Sequence, residues 1–181
     1  MKSRSILALI FALILCHGRI VQAQGGAVQA IRGAAEGIEK QVAGSQTPII
    51  AGPVDRTEKV SPGKVDNDAP QEFTETKSGL KYRVLRKSEG KKPTASDSVE
   101  VHYKGWLDDK TIFDSSYRRG LTISFPLRGV IPGWTEGMQL VGEGGMIELT
   151  IPYKLAYGER GNRSIPPRAQ LHFIVELISV K

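Results

Sequence analysis

Few side chains in this sequence have the types or spacing that covalent or metal chemistry demands. There is one cysteine, Cys16, and three histidines, His17, His102 and His172. Cys16 and His17 fall at the end of an apolar N-terminal run, and no CxxC or His/Cys cluster with metal-ligand spacing occurs. Gly142-Glu143-Gly144-Gly145 follows a helical pattern instead of opening one and lacks a Lys-Ser/Thr pair, which excludes a phosphate loop. His102 and His172 sit within strand-like runs among apolar neighbours and read as structural. No base-activated serine is visible. The sequence therefore implies no cofactor and no metal, and any catalysis must come from shape and environment. The natural centre of such an environment is Trp134.

The elements that position Trp134 can be read around it. In Gly129–Val141, Pro132 has its ring-fixed φ where a helix can begin, since its missing N–H would be unpaired there anyway. Trp134, Met138 and Val141 then recur at four- and three-residue spacing, one face of a short helix over 132–141. Gly142 stands where a left-handed C-terminal stop would fall. Gly129, Gly133 and Gly137 make this helix poor by propensity, so packing must hold it. Elsewhere the period is two. Leu80, Tyr82 and Val84 alternate with Lys81, Arg83 and Leu85; Val99, Val101 and Tyr103 with Glu100, His102 and Lys104; Ile147, Leu149 and Ile151 with Glu148 and Thr150. These are half-buried antiparallel strands. Leu171–Val180, apolar on both faces apart from His172, Glu176 and Ser179, reads as a central strand. Ser88-Glu89-Gly90 and Asp108-Asp109-Lys110 read as turns. The class is α+β: an antiparallel sheet wrapped around one short helix.

Charge and the N-terminal third bound the rest. The net charge of +6 is spread thinly. Residues 24–72 carry five basic and seven acidic side chains, and residues 73–181 seventeen and twelve, with no polybasic block, which argues against a nucleic-acid partner. Lys2 and Arg4 precede the apolar run Ile6–Cys16, and Val21-Gln22-Ala23 offers a small-residue cleavage site, so residues 1–23 read as an export signal cut before Gln24. The run is too short for a stable membrane span, which needs about 20 residues. The product would be periplasmic or secreted and free of cysteine. Residues 24–72 read as a flexible extension or linker: Pro48, Pro53, Pro62 and Pro70 stand among scattered charges, with too little apolar surface to order the chain. Within it Val28, Ile31, Ala35, Ile38 and Val42 form a short heptad-like seam, interrupted by Gly33 and Gly37, that leaves the oligomeric state open.

Ordered motifs then connect these pieces. Val101-His102-Tyr103-Lys104-Gly105, Phe113-Asp114-Ser115-Ser116, Phe125-Pro126-Leu127, Val130-Ile131-Pro132-Gly133-Trp134, Leu155-Ala156-Tyr157-Gly158-Glu159-Arg160-Gly161, Ile165-Pro166-Pro167 and Leu171–Ile178 follow one another along residues 73–181. This run resembles the FKBP-type peptidyl-prolyl cis-trans isomerases, the family bound by macrolide immunosuppressants. With its signal and N-terminal extension the chain is similar to exported bacterial members, including the macrophage infectivity potentiator group. The resemblance implies a pocket with Trp134 as its floor. Tyr103, Phe113, Phe125, Val130, Ile131, Tyr157, Ile165 and Phe173 would form its walls, with Asp114 as the acid at its edge. Among them Asp114, Tyr103, Phe113, Tyr157 and Phe173 are the candidate catalytic residues, and Phe125, Val130, Ile131, Trp134 and Ile165 the candidate substrate-binding ones. Ile123 stands where small cytosolic members carry an aromatic residue, and the loop between Gly158 and Ile165 is shorter. The implied substrates are proline-containing unfolded or partly folded polypeptides, with macrolides as inhibitors.

Such a pocket needs no bond to the substrate. Amide rotation is opposed by resonance, with a barrier of about 18–20 kcal/mol, and X–Pro bonds interconvert over tens to hundreds of seconds. The twisted amide has lost its resonance charge separation, so a dry aromatic pocket favours it over the planar form. Two roles stay open for Asp114: bracing Tyr103, or facing the twisting carbonyl. A binding module with little isomerase activity is the rival from another class. A plain α+β core explains Trp134 and Phe173, but not Asp114 among rings drawn from separate segments.

Overall fold

The alternating runs form seven strands in the computed structural model, which describes residues 52–181, all within the compact unit Thr47–Lys181. They are β1 (Thr74–Glu75), β2 (Lys81–Arg86), β3 (Ser98–Trp106), β4 (Ile112–Ser115), β5 (Ile123–Pro126), β6 (Met146–Ile151) and β7 (Leu171–Val180). All pairings are antiparallel, in the order β1-β2-β6-β7-β3-β4, with β5 also on β3. The run without alternation, β7, lies between β6 and β3 as its apolarity requires. The α+β class and the sheet-around-helix architecture are those expected.

One face of the sheet closes on the helix. Val99, Val101 and Tyr103 of β3, Leu149 and Ile151 of β6, and Phe173, Val175 and Leu177 of β7 are buried together with Trp134, Met138 and Val141. The helix runs from Pro132 to Met138, shorter than its sequence pattern, with the proline in its first turn. Beyond it the chain continues in tighter turns, Leu140 N–H to Gly137 O at 3.1 Å and Val141 N–H to Met138 O at 3.4 Å. Gly142 is not the left-handed stop expected; that conformation falls at Gly144, with φ 86°. Gly142 serves close approach instead, since a Cβ there would lie 2.5 Å from the Gly90 carbonyl oxygen. Gly133 and Gly137 have the same role against β6, where a Cβ would meet Ile151 at 2.4 Å and Leu149 at 2.7 Å. The residues that weaken the helix by propensity are the ones that let it lie on the sheet.

The opposite face is covered too, which corrects the reading of residues 24–72 as a flexible linker for the part that is described. Leu85, Trp106, Tyr117, Met146 and Ile174 form a second buried cluster, with Val65 and Ile112 packed against it. Lys104, Glu148, Thr150 and Glu176, the polar partners of the period-two pattern, are buried rather than solvated. The segment before β1 binds two of them, Lys104 and Glu176, while Glu148 pairs with Arg83 of β2 and Thr150 with His172 of β7. Glu58 pairs with Lys104 at 3.2 Å, the Gly63 N–H donates to Glu176 at 2.9 Å, and the Asp66 N–H donates to the Leu85 carbonyl at 2.8 Å. Apolar content alone understates the order of such a strap, because its contacts are mainly polar. The expected export signal and the Val28–Val42 seam lie outside the described residues. Among the described residues no helix is long and apolar enough to cross a membrane.

Candidate active site

Every ring of the site except Tyr157, which comes from the loop before β7, projects from the helix-facing side of the sheet or from the helix itself. Tyr103 lies on β3, Phe113 and Asp114 on β4, Phe125 on β5 and Phe173 on β7, while Val130 and Ile131 lead into the helix that carries Trp134. A cavity of about 540 Å³ opens among Tyr103, Phe113, Asp114, Phe125, Val130, Ile131, Trp134, Tyr157 and Phe173. Its floor is the Trp134 indole, 4% exposed. Three rings meet that indole edge-on: Tyr103 with centroids 5.4 Å apart, Phe125 at 5.7 Å and Phe173 at 5.4 Å. Phe113 stands edge-on to Phe173 at 5.6 Å. Both rings press on Gly105, where a Cβ would lie 2.6 Å from each. These offset, perpendicular contacts are the preferred aromatic geometry and fix the rings against one another.

The polar edge is a closed set of three side chains. The Tyr103 hydroxyl donates to one carboxylate oxygen of Asp114. Arg119 donates to the other at 2.7 Å and to the Tyr103 hydroxyl at 3.2 Å. Burial pushes the Asp114 carboxyl up, but the bonds from Arg119 and Tyr103 outweigh it and hold the group below the ordinary carboxylate range. Burial, and then the bond to Asp114, push the Tyr103 phenol up to about 12. Asp114 is thus a carboxylate and Tyr103 a neutral phenol at neutral pH. With both its oxygens engaged inside the wall, Asp114 has the geometry of a brace rather than of a free base.

The backbone at the rim is partly committed. Ile131 is extended at φ −62° and ψ 146°, and its carbonyl accepts from Trp134 N–H at 2.9 Å and Thr135 N–H at 3.2 Å. Its N–H, beside the cavity, donates to no described residue. Tyr157 stands at the mouth, 39% exposed.

The family comparisons agree with this geometry. Residues 89–178 match the family described as FKBP-type peptidyl-prolyl cis-trans isomerase. The FKBP-type 22 kDa peptidyl-prolyl cis-trans isomerase of Escherichia coli K12 is 49% identical over 116 residues, 64% of this chain and 56% of that one. This chain belongs to the FKBP family. FkpA of Escherichia coli K12 is 52% identical over 103 residues, 57% of this chain and 38% of that one. The crystal structure of FkpA from Escherichia coli superposes with a TM-score of 0.60 at 37% identity, covering 86% of this chain and 62% of that one. A peptidyl-prolyl cis-trans isomerase from Pseudomonas syringae superposes with a TM-score of 0.58 at 37% identity, covering 62% and 83%. The chain spans about half the length of the curated relatives it matches.

Within this FKBP domain, nine of the ten candidate residues surround the cavity, and Ile165 does not. Ile165 is 7% exposed and belongs to the helix-facing core, held where its loop closes on itself with Ile165 N–H to Asn162 O at 2.7 Å. Ile123 likewise packs against the core and does not line the cavity. Trp106 lies outside the pocket, since even-numbered β3 residues face the other way and Trp106 stacks on His172 at 5.8 Å. His102 stacks on Tyr117 at 5.1 Å and bonds Ser116 at 2.9 Å, away from the cavity. Sequence reasoning missed Gly129 and Pro132 as lining residues and Arg119 as the partner of Asp114. A signal for Arg119 was present. Ser115 caps a single helical turn, Ser116–Arg119, that ends at left-handed Gly120, and such a turn brings residue 119 back over residue 114.

Proposed function

We propose that this protein is an exported peptidyl-prolyl cis-trans isomerase that accelerates Xaa–Pro rotation in proline-containing, unfolded or partly folded polypeptides. The observation that carries the proposal is the ring box: one buried indole met edge-on by three other rings beneath an open mouth. A proline ring laid on Trp134 would be enclosed by Tyr103, Phe125 and Phe173, with the preceding amide near Phe113 and Asp114. Planar and twisted amides differ in charge separation, and water stabilises the more polar planar form. Removing water narrows that advantage and lowers the rotation barrier. The Ile131 N–H is the backbone donor for an extended peptide, and the Tyr157 hydroxyl is a second donor at the mouth. Asp114 contributes by bracing Tyr103 so that the box does not relax around the planar ground state. The same enclosure suits the apolar ring of a macrolide inhibitor.

A protease-coupled assay on a short Xaa-Pro peptide tests this directly. Acceleration over the uncatalysed rate, competed by a macrolide, is expected; a protein that binds proline peptides without accelerating them would be a binding module. Export is tested separately by intact mass, which should show a chain beginning at Gln24. Retention of Met1 would overturn it.

A further inference from the structure

Asp55, Glu58 and Lys59 lie on the strap that precedes the family's matched region, residues 89–178, and on the far side of the sheet from the cavity. They nevertheless make contacts to the turn that serves it. The Lys59 N–H donates to the Tyr117 carbonyl at 3.0 Å, and Val60 N–H to the same oxygen at 3.4 Å. Ser115, the cap of the turn, donates to Glu58 at 3.2 Å. Asp55 accepts from Nε of Arg118 and is itself fixed by the Thr57 N–H at 2.9 Å and the Thr57 hydroxyl at 2.7 Å. The Asp55 side chain is 5% exposed, so the ion pair is shielded on its acidic side.

The next residue after Arg118 is the one the pocket uses. Arg118 reaches back to the strap, whereas Arg119 reaches forward to Asp114 and Tyr103. A four-residue helical turn cannot hold its own geometry, because a single turn fixes many dihedrals for one hydrogen bond. The sheet side is held by Ser116, whose hydroxyl accepts from Tyr103 N–H at 2.8 Å. The solvent side is held by the strap. The geometry points to Asp55 as a positioning residue for the pocket: by fixing Arg118 it fixes the turn from which Arg119 orders Asp114 and Tyr103. This deepens the isomerase reading and rests on it for its activity arm only.

Full-length mature protein serves for the test, with Asp55→Asn, Arg118→Gln, Arg119→Ala and the double variant Asp55→Asn/Arg119→Ala. Asp55→Asn and Arg118→Gln break the same contact from its two ends, so each should lower kcat/KM about 3- to 10-fold, with Asp55→Glu restoring it to within about twofold. In the double variant the loss should equal that of Arg119→Ala alone, because the effect of Asp55 passes through Arg119. Additive losses, or full activity in Asp55→Asn, would overturn the proposal. Nuclear magnetic relaxation of the Arg119 side chain gives a readout free of catalysis: its motion should increase in Asp55→Asn and Arg118→Gln while circular dichroism shows a folded domain. An Arg119 as rigid as in the wild type would also overturn it. Failure of the isomerase reading would show up differently, as no acceleration by the wild-type protein.

Discussion

Replacing Gly133 by alanine sets helix propensity against packing, and the two give opposite signs. In an exposed helix the change would stabilise by about 1 kcal/mol. Here the new Cβ would lie 2.4 Å from Ile151 Cγ2, 3.0 Å from Cδ1 and 3.1 Å from Cγ1. Carbon pairs are comfortable at about 3.5–4.0 Å, so the overlap at Cγ2 is on the order of 1 Å. Ile151 is fully buried, and its branch at Cβ stiffens χ1, so Cγ2 cannot swing aside. The helix must lift from β6 or Ile151 must leave its rotamer, at about 1–3 kcal/mol. With a central cost of about 2 kcal/mol against a gain of about 1 kcal/mol, packing should win by about 1 kcal/mol in urea unfolding followed by tryptophan emission. Lifting the helix also displaces Trp134, so kcat/KM should fall while the protein stays folded. Gly133→Ala/Ile151→Leu moves the branch from Cβ to Cγ and should recover more than half of the stability. A Gly133→Ala protein as stable as the wild type, or more so, would refute the close-approach argument.

Four further outcomes follow from the site and the strap. The rate should be flat across the neutral pH range, because Asp114 is held below the ordinary carboxylate range and the Tyr103 phenol is raised to about 12; a limb near the histidine pKa of about 6.5 would implicate a group outside the pocket. The sign for stability is the depressed-carboxylate one: the Asp114 contribution is complete above the ordinary aspartate pKa and is lost as pH falls through its lower folded value, which acid titration of Asp114→Asn against wild type would reveal. Glu58→Ala should destabilise by roughly 3–5 kcal/mol because it leaves the Lys104 ammonium, with a side chain 4% exposed, buried without its partner, and a thermal melt unchanged from wild type would contradict the packed strap. Proline peptides should change the emission of Trp134 and leave that of Trp106 silent, so Trp106→Phe should keep both the binding signal and the rate.

What the sequence revealed follows the physics of each signal. Period-two alternation reports which side chains share a face, and it separated Val99, Val101 and Tyr103 from His102 and Lys104 correctly. It cannot report what covers the polar face. Lys104, Glu148 and Glu176 are the same residue types whether they meet water or a buried counter-charge, and their partners lie elsewhere in the chain: Glu58, Arg83 and Arg86. The helix was legible from Pro132 and Trp134, but its end was not, because glycine marks both a left-handed stop and a close approach, and Gly142 is the second kind. The rings of the pocket became legible only through the resemblance to a family, since strand pairing, not spacing, brings Tyr103, Phe113, Phe125 and Phe173 together. Ile165, named by the same resemblance, went instead into the core.

Successive residues on one backbone join the two faces of this sheet. Tyr103 stands in the pocket wall and Lys104 in the buried pair with Glu58; Phe173 meets Trp134 while Ile174 packs in the reverse cluster; Arg118 binds the strap and Arg119 the brace. A wall built this way cannot relax on one side without moving a packed or ion-paired neighbour on the other. Catalysis by an apolar box depends on that stiffness. The box discriminates between planar and twisted amides only if its rings do not move to suit the planar one, and a ring displaced by even an ångström would bind both forms alike. In the proposed isomerase the polar strap therefore helps to set the stiffness of the site, although none of its described residues faces the cavity.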